Sequence, residues 1–145
     1  MTSVSRLPLF VTVQRHHFDT SAGDHPRLRH FRQRLQQARE QGLPVILVQW
    51  DGGLFPQTPD TFSRDWVLHP DIRAEDGDLL VRASGRDPFS GELIGGQTLA
   101  AQLQAMGVTE LDVLAVPDAP ELTAVLDSAT QYGLTLHVLP LDQGA

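Results

Sequence analysis

The chain has 145 residues, 41% apolar and 20% charged, with a formal net charge of -7 and no cysteine, and all 11 of its basic side chains are arginine. The missing thiol and ε-amine exclude a thiolate nucleophile, a disulfide, a Cys-ligated metal, a Schiff base and a lysine general base. The acidic balance argues against nucleic acid as a partner, and no apolar run approaches the roughly 18 residues of a membrane span. The length fits one domain, 1–145, that buries roughly 68–70% of its unfolded surface. The opening residues do not read as a signal peptide, so a cytoplasmic location is expected.

Leu7 to Val13 is a nearly continuous apolar, β-branched run, the pattern of a strand covered on both faces of a parallel sheet. A helix is expected from Pro26 to Gln41, with Gly42 as its stop. Leu28, Phe31, Leu35 and Ala38 make its apolar stripe, and Arg27, Arg29, Arg32, Arg34 and Arg39, with His25 and His30, read as its solvated face rather than as an anion site. Pro44 to Trp50 is a second buried strand. Residues 51–78 are rich in Gly, Pro, Asp and Thr without periodicity and read as a long loop, the place for a lid or an assembly surface.

A short third strand, Leu79 to Arg82, leads into a punctuated connection, Ala83 to Gly96. A second helix is expected over Thr98 to Met106, with Leu99 and Leu103 one turn apart and Gly107 at its end. Leu111 to Val116 is the fourth strand, Glu121 to Tyr132 a third helix closed by Gly133, and Thr135 to Leu139 the fifth strand. Strands alternating with helices imply right-handed crossovers, hence a three-layer α/β/α domain on a parallel sheet. Ligands of such sheets bind outside the carboxyl ends of the strands. That rule nominates Gln14, Arg15, His16 and His17 after the first strand, Asp51 after the second, Arg82 and Ser84 after the third, and Pro117, Asp118 and Glu121 after the fourth, with Phe89 beside them.

The segments LFVTVQRHHF, LQQAREQGLPVILVQWDGG, DWVLHPDIRAEDGDLLV and GVTELDVLAVPDAPELTAVLDSATQYGLTLHVL, in this order, resemble the isochorismatase-like cysteine hydrolases. That family includes nicotinamidases and N-carbamoylsarcosine amidase. The resemblance implies a sheet of about five strands in the order 3-2-1-4-5, with oligomers of at least a dimer. It also implies an active site of Asp, Lys and Cys. Those positions fall on Thr12, on Arg82 or its neighbour Ala83, and on Glu121, so all three catalytic groups are replaced. One of the two oxyanion donors falls on Pro117, which has no N–H, and the resemblance implies a cis Val116–Pro117 bond. The family's further helix and sixth strand have no counterpart here, which leaves a sheet edge either exposed or covered by a partner subunit.

Two functions follow from these substitutions. The first is a pseudoenzyme that binds a small molecule or acts in protein assembly. The second is a hydrolase of small amides or esters in which Glu121 is nucleophile or base, Arg82 its electrostatic partner and Thr12 a neighbour. A working site gathers these three around an open pocket, whereas a relic fills it with side chains such as Trp50, Phe55 or Phe89. A bland role for Glu121 is to cap its helix. His16 and His17, read as an extended pair, point to opposite sides, so a zinc site with Asp19, Asp24 and His25 is not adopted, and no metal or cofactor is assigned. His69 reads as structural and His137 as a core or edge residue. Ser84 and Ser128 lack a His and carboxylate arrangement for serine hydrolysis. The expected partners are a small-molecule ligand and further copies of the chain, with no nucleic acid and no membrane.

Overall fold

The computed structural model describes residues 6–18, 26–56, 58–116 and 119–139. The five apolar runs form parallel strands β1 (Arg6–Phe10), β2 (Ile46–Trp50), β3 (Leu79–Ala83), β4 (Glu110–Leu114) and β5 (Thr135–Val138), in the order β3-β2-β1-β4-β5. The helices are α1 (Pro26–Glu40), α2 (Leu99–Met106) and α3 (Pro120–Ala129). The order reverses at β1, which has β2 on one side and β4 on the other, so the switch point where such folds place their ligands lies between β1 and β4. No helix among the described residues is long and apolar enough to cross a membrane.

Period-two alternation divides the strand residues between two cores. Leu7, Leu9, Ile46, Val48, Leu111 and Val113 pack with Leu99 and Leu103 of α2 and Val125 and Ala129 of α3. Phe10, Leu47 and Leu114 face Leu28, Phe31, Leu35 and Ala38, the stripe expected of α1. Because both faces are covered, the central strands are apolar at nearly every position. Phe31 meets the edges of Phe10 and Phe18 at centroid distances of 5.7 and 5.4 Å. On the outer face of α1 the arginines are not all simply solvated. Arg32 pairs with Asp71 at 3.3 Å, and Arg39 reaches Glu75 at 2.9 Å, Asp78 and the Arg73 carbonyl, so the helix pins the segment that leads into β3.

The helix ends follow the local chemistry of the sequence. Thr98 caps α2 by accepting from the Ala101 N–H at 3.1 Å, and Gly107 closes it at φ 75°, a conformation a side chain would oppose. β1 is shorter than its apolar run. Its register with β2 runs through Leu9↔Ile46 and Phe10↔Leu47, after which the two strands part. Val11 still donates to the Leu114 carbonyl of β4 at 2.9 Å, but its own carbonyl accepts from the Trp50 indole at 2.8 Å. A side chain has replaced the ladder.

Gln14 completes that replacement. Its side chain is fully buried; its Nε2 donates to the carbonyls of Trp50 (3.0 Å) and Trp66 (2.7 Å), and its Oε1 accepts from the Trp50 N–H at 2.9 Å. One amide thereby joins the ends of β1 and β2 to the loop 51–78. Gln14→Met keeps the volume but removes all three bonds, leaving the Trp66 carbonyl only the long contact from Gln49 Nε2 at 3.5 Å, at a cost of about 3 kcal/mol. Urea unfolding measures it, and a loss below about 1 kcal/mol would show that the joint is dispensable.

Candidate functional site

Just past the end of β1 lies Thr12, the position to which the resemblance assigns the catalytic Asp. It is fully buried, and its Oγ1 accepts from the Val116 N–H at 2.8 Å. The hydroxyl thus bridges the two strands at the switch point, where ligand-binding folds of this kind open a crevice.

The chain then bends into a 3₁₀ turn, Arg15–His17, held by the His17 N–H on the Gln14 carbonyl at 3.0 Å. This corrects the expectation that His16 and His17 diverge. A turn of three residues per revolution does not alternate like a strand, and the two rings lie 3.9 Å apart between centroids. The His17 Nδ1 accepts from the Gln14 backbone N–H at 3.1 Å, so the ring proton resides on Nε2, which donates to Glu121 Oε2 at 2.7 Å. Glu121 is 3% exposed and occupies the first turn of α3, where the helix favours negative charge. Burial pushes its carboxyl up, but the His17 hydrogen bond, its own N–H and His16 together outweigh this and hold it below the usual carboxylate range. Glu121 is therefore more than a capping acid: it ties α3 to the turn after β1.

Arg82 takes no part in this cluster. Val81 and Ala83 are buried in the core shared with α3, and strand alternation turns Arg82 to the opposite face. There its Nε donates to Asp51 Oδ1 at 2.8 Å, and its guanidinium covers the rings of Phe62 at 5.0 Å and Trp66 at 5.5 Å. The expected pairing of Arg82 with Glu121 is thus corrected. Thr12, Arg82 and Glu121 each bond to a different partner, and no hydrogen bond joins them. Ala83, the alternative position for the Lys, lies in the core.

The other nominated residues are dispersed. The Arg15 backbone donates to the Val67 carbonyl at 2.8 Å, Ser84 is exposed, and Phe89 is a core residue in ring contact with Tyr132. Trp50 and Phe55 are buried in the same core, edge to face at 5.4 Å. Ser128 donates to the Ala124 carbonyl, and His137 meets Glu110 at 2.8 Å across neighbouring strands. The His69 backbone N–H donates to the Val13 carbonyl at 2.8 Å, and its Nδ1 accepts from the Asp71 N–H at 3.1 Å. Pro117, Asp118 and the Val116–Pro117 bond lie outside the described residues, as do Asp19, Asp24 and His25. Sequence reasoning nominated His17 without a role. Its partner is 104 residues away, a distance no spacing rule spans.

His16, His17 and Glu121 offer two nitrogens and a carboxylate oxygen within 4.8 Å of one another, a donor set suited to a divalent metal. The surroundings of His17 do not fit one. A ligating imidazole donates its second N–H to an acceptor, whereas the His17 Nδ1 faces the Gln14 N–H, a donor. Metal at Nε2 would force a proton onto Nδ1 against that N–H.

His16 has an acid-sensitive consequence for stability. Its Nε2 is buried without a hydrogen-bond partner, and burial, then His17, pushes the ring down to about 4 from an ordinary 6.5, against the opposing pull of Glu121 and Asp65. Between those two values the unfolded chain binds a proton that the folded chain refuses, so this contribution is complete above pH 6.5 and is lost as the pH falls toward 4. Below that range the depressed Glu121 adds a loss of the same sign. Urea unfolding from pH 7 to pH 4 is expected to show falling stability, with a shallower slope in His16→Gln. An equal slope would remove His16 as the cause.

No protein-family model and no curated protein matches this sequence. Solved structures do match. A candidate isochorismatase from Burkholderia xenovorans superposes with a TM-score of 0.75 at 22% identity, over 95% of this chain and 66% of its own. A candidate isochorismatase hydrolase from Oleispira antarctica gives 0.74 at 20% identity, over 94% and 73%. N-carbamoylsarcosine amidase from Thermoplasma acidophilum gives 0.60 at 15% identity, over 97% and 98%. At these identities the likeness is one of fold, and with the strand order and the switch-point geometry it establishes that this chain adopts the isochorismatase-like α/β fold.

Proposed function

We propose that this protein is a non-catalytic carrier of the isochorismatase-like fold, a pseudoenzyme that works by binding a small molecule or by assembling with further copies of itself. The observation that supports this reading is the use made of Thr12 and Glu121. Where the family's chemistry needs a base and a nucleophile, one side chain bridges β1 to β4 and the other anchors α3 to the turn after β1.

The Glu121–His17 pair resembles half of a triad, but its polarity is wrong for catalysis. In a triad the carboxylate orients one ring nitrogen and the other takes the substrate's proton. Here the other nitrogen is occupied by the Gln14 N–H, so His17 has no free lone pair with which to act as a base. Pro117 removes an oxyanion donor as well. A hydrolase built on Glu121, Arg82 and Thr12 would need the last two brought to the first, and each is bonded elsewhere. Assembly draws support from β5, an edge strand of four residues with Val138 49% exposed.

Glu121→Gln separates the two readings. A structural carboxylate predicts no hydrolysis of p-nitrophenyl acetate or nicotinamide by the parent protein, and a loss of about 1.5–3 kcal/mol of stability in the variant, read by urea unfolding. Protein-dependent hydrolysis that disappears in Glu121→Gln while stability is kept would establish the hydrolase instead. Sedimentation equilibrium tests the assembly branch, which requires at least a dimer.

A further inference from the structure

We propose that Arg82, Phe62 and Trp66 form a binding site for a small carboxylate with an apolar body, on the β2–β3 side of the sheet and separate from the crevice between β1 and β4. The guanidinium is held from two sides. Asp51 accepts from its Nε at 2.8 Å, and the rings of Phe62 and Trp66 lie against its face. Neither Nη1 nor Nη2 hydrogen-bonds to any described residue, although Arg32 and Arg39 reach acidic partners through theirs and the side chain of Arg86 reaches the Leu54 carbonyl. What remains is a fixed, half-exposed edge with two parallel donors, the shape that receives a carboxylate bidentately.

The loop that supplies the rings carries the second observation. Phe62 sits at φ 71°, a conformation that opposes a bulky side chain, yet the residue is 73% exposed, so burial does not compensate the strain. The backbone that holds it there is built closely. Gly52 packs against residues 59–61, where a Cβ would lie 2.7 Å from the Pro59 carbonyl oxygen and the Thr61 nitrogen, and its N–H donates to Thr61 Oγ1. The same loop holds buried polar atoms without a partner: Thr58 Oγ1, Ser63 Oγ and Nε1 of Trp66, the ring under Arg82. Native interiors rarely leave such atoms unpaired, and strained, unsatisfied loops are a mark of ligand sites.

Charge selects among anions. The chain carries a net -7, and Asp51 lies against the guanidinium, so a dianionic phosphate is opposed where a monoanionic carboxylate is accepted. The exposed Phe62 ring supplies the contact for an apolar body.

The test is a titration with benzoate, and with benzamide as its uncharged isostere, read by the indole N–H signal of Trp66 in a nitrogen-15 spectrum. Trp66→Phe assigns the signal. The site predicts a saturable shift with benzoate at millimolar or tighter Kd, a much weaker response to benzamide, and affinity reduced at least about tenfold in Arg82→Gln. Should Arg82→Gln fail to fold, Arg82→Lys, which keeps the charge and loses the fork, is expected to weaken binding several-fold. Equal response to the two probes, or unchanged affinity in the Arg82 variants, overturns the proposal, and so does absence of any saturable shift. Tighter binding of inorganic phosphate than of benzoate overturns the carboxylate class. The site is independent of the reading of the crevice: loss of benzoate binding in Glu121→Gln rather than in the Arg82 variants would place the ligand between β1 and β4 and refute it.

Discussion

The side-chain amide of Gln14 is the joint on which the upper end of the sheet depends. β1 and β2 separate after Phe10 and Leu47, and in an all-parallel sheet such a gap leaves backbone groups that must find partners away from water. Gln14 supplies a donor with two bonds and an acceptor with one, joining β2 to the loop through Trp50 and Trp66. Its backbone N–H, directed at His17 Nδ1, then sets the tautomer that lets His17 hold Glu121. A single residue thus connects the joining of two strands to the anchoring of a helix.

The same economy holds at the ends of β1 and β4, where buried polar side chains are satisfied within the protein. A buried carboxylate needs hydrogen bonds whether or not it reacts, and Glu121 finds them in His17 and the first turn of α3. Thr12 is fully buried, and its hydroxyl accepts from the Val116 N–H. At the switch point Thr12 bonds to the Val116 backbone and Glu121 to the His17 side chain, so protein hydrogen bonds bridge the strand ends there.

Most of the architecture was legible in the sequence because it is written in local patterns. The stripe of Leu28, Phe31, Leu35 and Ala38 is buried as its spacing requires, Gly42 and Gly107 end helices in the left-handed conformation, and the alternation of strands and helices implied the parallel sheet, whose strand order came from the resemblance. Strand ends were less legible. Val11 to Val13 are as apolar as the residues before them, and nothing local records that the Trp50 indole takes the place of the ladder. The 3₁₀ turn at Arg15–His17 was misread for the same reason, since a pair of histidines carries no preference strong enough to distinguish a turn from an extended segment.

By itself the sequence determined the class of fold, the helical faces and the absence of cysteine and lysine chemistry, because these depend on residue type and short-range periodicity. Only the tertiary structure decided what Thr12, Arg82, His17 and Glu121 bond to. The pairing of His17 with Glu121 across 104 positions, the turning of Arg82 away toward Asp51 and the aromatic rings, and the bridge from Thr12 to Val116 all join segments distant in the chain. Their partners are chosen by where the sheet order and the crossovers bring those segments together, and side-chain hydrogen bonds of a few ångströms register that placement, which no pattern along the chain encodes.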